Sequence, residues 1–221
     1  YRSIVGSLVY AAYVTHVDIA NAVRILARFM SAPMAVHMAA AKRCLRYLAG
    51  TRSLGIVHRR AAAGTRPVLT GYSDADMTSN FDNGRSTTGV IFQLAGGAVS
   101  FSSRLQRPVA RSPMEVECVA LFEAAQTSVL LRGVLEHICG DLPAKPTVIR
   151  EDNLSGTTAS MAPVRTRHSR HICIRYRRLR EQIRNRTISV VSIVMAVQLT
   201  DCLTKNLEAS RHGQLRQQLM D

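Results

Sequence analysis

The 221 residues, 47% hydrophobic and 20% charged, suffice for one generous domain, or for one domain with a smaller helical piece. No apolar run reaches the roughly 18 residues of a membrane span, and no signal peptide opens the chain. Its five cysteines never form a CxxC pair, so a disulfide framework and a zinc ribbon are disfavoured and an intracellular, reducing setting is expected. The 29 Lys+Arg against 15 Asp+Glu give a formal charge of +14, which argues for a polyanionic partner, nucleic acid first, over a merely soluble basic protein.

The first 50 residues read as helical. Ile4, Leu8, Val9 and Ala12 recur at helical spacing. Asp18 is placed to cap a second helix from Ile19 to about Met30, and a third is expected from Ala35 to Leu48 with Gly50 as its stop. The basic stretch 58–66, HRRAAAGTR, reads as a linker between a helical unit, 1–57, and a second unit, 67–221.

The texture then changes. Val68 to Ser73 patterns as a strand ending in the acidic turn Asp74-Ala75-Asp76. Thr88 to Leu94 and Ala98 to Ser103 pattern as two more strands, joined as a hairpin at Gly96-Gly97. Pro113 opens a long helix to about His137. Thr147 to Glu151 is a short strand leading into Asp152-Asn153, and a basic helix is expected from Arg167 to Arg184. Thr187 to Met195 is an apolar strand, and short helices around Leu199–Thr204 and Glu208–Met220 follow. Three strands, helix, strand, helix, strand, helix predicts an α/β fold with a mixed five-stranded sheet and flanking helices.

Four carboxylates stand out. Asp74 and Asp152 each follow an apolar strand, at the sheet edge where α/β folds bind ligands. Glu117 occupies the first turns of the long helix, in line with Leu121 and Ala124, whereas Glu115 points roughly the other way. Asp201 begins a short helix after the last strand. Such acids are ordinarily turn formers or helix caps. Converging on one point they would be costly unless hard cations neutralised them. His168 and His171 lack neighbours at ligand spacing and suit phosphate contact or a solvated face better than zinc.

At these residues the sequence resembles copia-type retrotransposon polyproteins. Gly71-Tyr72-Ser73-Asp74-Ala75-Asp76 followed by Gly84-Arg85-Ser86-Thr87-Thr88-Gly89 resembles that family's GYSDADWAG…RKSTSGY signature. Val99-Ser100-Phe101-Ser102-Ser103 resembles ISWSS, and Ser112-Pro113-Met114-Glu115-Val116-Glu117-Cys118-Val119-Ala120-Leu121 resembles SSTEAEYIAL. Glu151-Asp152-Asn153 matches EDN, and Leu199-Thr200-Asp201-Cys202-Leu203-Thr204-Lys205 resembles LADILTK. Upstream, Tyr1 to Tyr10 resembles the YRSIVGSLMYL that follows a reverse transcriptase core, and Arg46-Tyr47-Leu48-Ala49-Gly50-Thr51 resembles RYLKGT.

The resemblance implies a ribonuclease H fold preceded by the reverse transcriptase's connection segment. It implies hydrolysis of the RNA strand of RNA–DNA hybrids with two Mg²⁺ or Mn²⁺ ions on Asp74, Glu117, Asp152 and Asp201. Its partners would be the hybrid and the rest of the polyprotein, with no membrane, in a cytoplasmic virus-like particle. By the same resemblance Arg85, Ser86, Thr87 and Asn153 would meet nucleic acid. The chain departs from the pattern at Met77, where the family has Trp, at Ile193–Leu199, and in having no Trp at all.

Between Arg165 and Arg186 lies the densest positive charge, including Arg167, Arg170, Arg175, Arg177 and Arg178. Same-sign charges this close repel unless a polyanion is present, so phosphate binding is the expectation. Three functions remain open on the residues: a metal-dependent nuclease, a decayed copy that only binds nucleic acid, and a connection module that positions a polymerase.

Overall fold

Five strands form one sheet in the computed structural model, which describes residues 1–60, 68–80, 84–107, 112–140, 145–153 and 170–220. They are β1 (Thr70–Asn80), β2 (Arg85–Leu94), β3 (Gly97–Leu105), β4 (Thr147–Glu151) and β5 (Ile188–Ser192), in the order β3-β2-β1-β4-β5. The first three are antiparallel neighbours, while β4 runs parallel to β1 and β5 parallel to β4. This is the mixed sheet expected of a ribonuclease H fold.

Among the described residues seven α-helices accompany it: α1 (Arg2–Val14), α2 (Ala20–Ala27), α3 (Ala35–Thr51), α4 (Pro113–Cys139), α5 (Arg170–Arg184), α6 (Asp201–Thr204) and α7 (Ala209–Leu219). Helix α4 starts where Ser112 accepts a hydrogen bond from the Glu115 amide at 3.3 Å, with Pro113 behind it at the first helical position. It covers one sheet face: Leu121, Ala124 and Ala125 meet Val90, Phe92 and Ile149, joined by Leu179 of α5. Helix α4 is also long and apolar enough to suit a bilayer, but its first half is buried against the sheet.

The other face carries Tyr72 and Ile91 beneath Leu199, Leu203, Leu215 and Leu219 from the C-terminal segments. Val17 and Ala20, from the start of the chain, enter this same cluster. Around them α1, α2 and α3 close a core of their own through Val5, Leu8, Ala12, Val23, Leu26 and Ala41. Polar contacts tie these helices to the sheet side. Asn21 Nδ2 donates to the Lys205 carbonyl at 3.0 Å, Arg24 Nε to Ser103 Oγ at 3.1 Å, and Arg216 to the Tyr47 hydroxyl at 3.3 Å.

Several sequence expectations shift. Gly50 does not end the third helix, which continues to Thr51, where the hydroxyl bonds back to the Tyr47 carbonyl. Asp18 caps nothing. It sits in a short 3₁₀ turn, Val17–Ile19, and its carboxylate accepts the Tyr47 hydroxyl. The strand expected to stop at Ser73 runs on to Asn80, because β2 pairs across the acidic stretch: Asp74 opposite Gly89, Ala75 opposite Thr88, Asp76 opposite Thr87. The hairpin turn is Ala95-Gly96, with φ of 54° and 85°, and Gly97 already pairs with Leu94. The last strand stops at Ser192, short of the expected Met195, which instead begins a 3₁₀ turn. The expected helix start at Arg167 lies outside the described residues, as do most of the linker positions.

Candidate metal centre

The parallel pairing of β1 with β4 ends at Tyr72 opposite Arg150. Two residues further on, β1 presents Asp74 on the same face as Tyr72, and the chain leaving β4 presents Asp152. Asp201 arrives from above, at the first residue of α6. Oxygens of Asp74, Asp152 and Asp201 all lie within 4.8 Å of one another. Asp74 and Asp201 are buried, Asp152 only partly.

Helix α6 can come this close because Gly89, opposite Asp74, has no side chain. A Cβ there would stand 2.6 Å from Thr204 Cγ2 and 3.2 Å from the Thr200 carbonyl oxygen. The Thr204 hydroxyl consequently donates to Asp74 Oδ2. Lys205 Nζ reaches Asp201 Oδ1 at 2.7 Å and Asp74 Oδ1 at 3.4 Å. Arg211 Nη2 lies 3.3 Å from Asp201 Oδ2. Gln198 Nε2 donates to the Ser73 carbonyl at 2.8 Å and lies 3.4 Å from Asp152 Oδ1, which ties the last loop to β1.

Glu117 stands beside this group without joining it. It comes from α4, the helix on the other sheet face, and its Oε1 accepts from Asn153 Nδ2 at 3.3 Å. Its Oε2 is buried without a hydrogen-bond partner among the described residues. Against it lies Glu151, fully buried because Thr147, Ile149 and Glu151 alternate inward along β4. Glu115 turns to the α5 side, where its charge is felt by Cys118 and Tyr176. Asp76, half-buried, faces Lys205 and Arg24.

Burial dominates the electrostatics. It lifts the Asp74 carboxyl to about 6, against the pull of Lys205 and Thr204 and with a further push from Asp152 and Asp201. Burial and then Asp74 lift Glu117 to about 8. Glu151 is raised well above the ordinary range by burial and by Glu117. Lys205 is pulled down by burial, but Asp74 and Asp201 more than reverse this, so its ammonium is held charged. The donors are all oxygen, and a Glu117 oxygen without a hydrogen-bond partner among the described residues lies alongside, a set that could hold a hard divalent cation.

The sequence reading passed over Glu151, Gln198, Thr204, Lys205 and Arg211. The i,i+4 step from Asp201 to Lys205 and the inward parity of Glu151 were available signals. Gln198 and Arg211 had none, since their partners are distant in sequence. Of the expected nucleic-acid contacts, Arg85, Arg177 and Arg178 are exposed and Arg175 is half-buried, while Ser86 and Thr87 are buried. Asn153 is committed to Glu117. Arg167 lies outside the described residues, and Arg170 begins α5. The first described turns of α5 lie against the start of α4, where Tyr176 packs on Cys118.

No family model matches the chain. It is 37% identical over 205 residues to the retrovirus-related Pol polyprotein from transposon TNT 1-94 of Nicotiana tabacum, across 93% of this chain but only 15% of that polyprotein. Among solved structures, the foamy viral protease-reverse transcriptase in complex with dsDNA superposes with a TM-score of 0.53 at 12% identity, over 88% of this chain and 37% of that one. Ribonuclease H1 from the archaeon Halobacterium salinarum gives a TM-score of 0.45 at 16% identity, over 62% of this chain and 93% of that one.

Proposed function

We propose a function for this chain on the ground that it belongs to the retrotransposon Pol polyproteins: it is their copia-type ribonuclease H, a metal-dependent endonuclease that hydrolyses the RNA strand of RNA–DNA hybrids during reverse transcription. The observation that carries the proposal is the convergence of Asp74, Asp152 and Asp201, with Glu117 beside them, where β1 and β4 part.

In this reading the three aspartates would hold Mg²⁺ or Mn²⁺, and Glu117, beside them but outside their group, is the fourth carboxylate that the family resemblance expects. When bound, such ions would activate water and stabilise the leaving oxygen of a phosphodiester. The chain's own residues prepare that chemistry. Thr204 and the β1–β2 pairing hold Asp74 still, Gln198 holds Asp152, and Asn153 orients Glu117. Arg85, Arg177 and Arg178 would grip phosphates without reading bases, so cutting should show little sequence preference and binding should weaken steeply with salt. Residues 1–57 would be the connection segment and 67–221 the nuclease. The polymerase would lie elsewhere in the polyprotein, and a cytoplasmic virus-like particle would be the setting.

A second reading is a catalytically silent remnant that only binds nucleic acid. Met77 in the family's Trp position and the absence of any Trp favour it. Cleavage of a strand-labelled RNA–DNA hybrid with Mg²⁺ or Mn²⁺, beside Asp74→Asn, separates the two. The nuclease reading expects cutting of the RNA strand alone, reduced on the order of a hundredfold or more in the variant. Salt-sensitive binding without cutting, by a protein shown to be folded, would leave the remnant.

A further inference from the structure

Two cations neutralise the aspartates, and they are held differently. The guanidinium of Arg211 is anchored to backbone, donating to the carbonyls of Ala196 at 2.6 Å and Met195 at 2.7 Å. It also touches only the outer oxygen of Asp201, at 3.3 Å. Lys205 has no such anchor: every hydrogen-bond partner that the described residues offer its Nζ is an oxygen of Asp74 or Asp201. A single ammonium thus spans the two buried acids that a cation would bridge.

Lys205 also has somewhere to go. Its side chain is 31% exposed, and it forms part of the wall of a cleft of about 660 Å³ between α2, α3 and α7. Asp18 and Asn21 share that wall, as do Arg43 and Arg216.

We propose that Lys205 is a built-in counter-cation that competes with divalent metal for Asp74 and Asp201, and that its side chain leaves them for solvent when metal binds. The inference rests on the nuclease reading of the aspartates and adds a positioning residue to it. In the absence of metal the lysine holds the two acids close by offsetting their mutual repulsion. It would yield to metal, because a divalent ion near these acids would interact with them about twice as strongly as a monovalent one at equal distance. The cost is a lower metal affinity than the bare acids would have.

The test is Mn²⁺ binding to the whole chain without substrate, by calorimetry, for wild type, Lys205→Gln, Lys205→Arg and Asp74→Asn, with melting temperatures in EDTA and in Mn²⁺. Lys205→Gln should bind Mn²⁺ about tenfold more tightly, the effect of removing one charge near the site. It should also melt lower in EDTA and recover in Mn²⁺, while Lys205→Arg stays close to wild type. A merely structural lysine would instead weaken Mn²⁺ binding when replaced. Equal or weaker binding by Lys205→Gln, with wild type still binding in an Asp74-dependent way, overturns the counter-cation and spares the nuclease reading. Absence of Asp74-dependent binding in both wild type and Lys205→Gln overturns both.

Discussion

The sheet's two faces are covered alike at the centre and differently beyond it. Under α4 and α5 the contact is apolar at its centre, from Val90 and Phe92 through Leu121 and Ala124 to Ile149, Leu179 and Ile188. The face under α6 and α7 begins in the same way at Tyr72 and Ile91, but two residues along β1 it meets Asp74. From there its cover is placed by named polar contacts: Thr204 on Asp74, Lys205 on Asp201, and Ser103 Oγ on the Leu203 carbonyl at 2.5 Å. Apolar contact is non-directional and tolerates small shifts. Carboxylates brought together out of water are stable only at one geometry with a cation in attendance. Apolar packing supports both faces, and the three aspartates lie on the one under α6.

The hardest test of that difference is on the face under α4. Leu121→Ala removes a fully buried side chain between α4 and the sheet and should cost about 3 kcal/mol in urea denaturation. The folded protein should still bind Mn²⁺ as wild type does. A parallel loss of metal affinity would mean that the two faces are coupled.

Gly89→Ala probes the other face. Its methyl would collide with Thr204 at 2.6 Å and crowd the Thr200 carbonyl, so α6 must retreat. A stability loss of about 2 kcal/mol is expected, together with a loss of hybrid cleavage out of proportion to it, because Thr204, Lys205 and Asp201 move together. Full activity at reduced stability would show that the position of α6 is not what sets the site.

The gentlest test is pH. Asp74 rises from 3.8 to about 6 and Glu117 from 4.5 to about 8, so the folded chain binds these protons more tightly than the unfolded one. Their contribution to stability is whole below about pH 4 and is lost as pH climbs through about 6 and then about 8. In EDTA the melting temperature should fall across that window. Saturating Mg²⁺ should flatten the fall, since metal needs the ionised carboxylates. A flat profile in EDTA would show that the acids are better solvated than their burial implies.

Much of this was legible in the chain itself. The strand-like runs of β2 and β3 on either side of Gly96-Gly97, the Ser112-Pro113 start of α4 and the apolar run of β4 each mark their element locally, so these elements fall close to where those signals put them. The acids at 74, 152 and 201 could be named from motif and from their places beside strand ends. Where local signals misled, a distant partner had intervened. Asp74 to Asp76 look like a turn because acids and small residues favour turns, yet β2 pairs across them and keeps them extended. Gly50 looks like a stop, yet the helix runs through it to Thr51.

What the chain could not decide by itself is which acids meet and what lies between them. Asp74, Asp152 and Asp201 are separated by tens of residues in sequence and come within 4.8 Å only because β4 inserts parallel to β1 and α6 settles over Gly89. The same assembly sets Glu117 on the helix of the opposite face and brings Lys205 between Asp74 and Asp201. Periodicity is a property of neighbours along the chain and survives in the sequence. Convergence is a property of the closed sheet, and it exists only once the strands have paired.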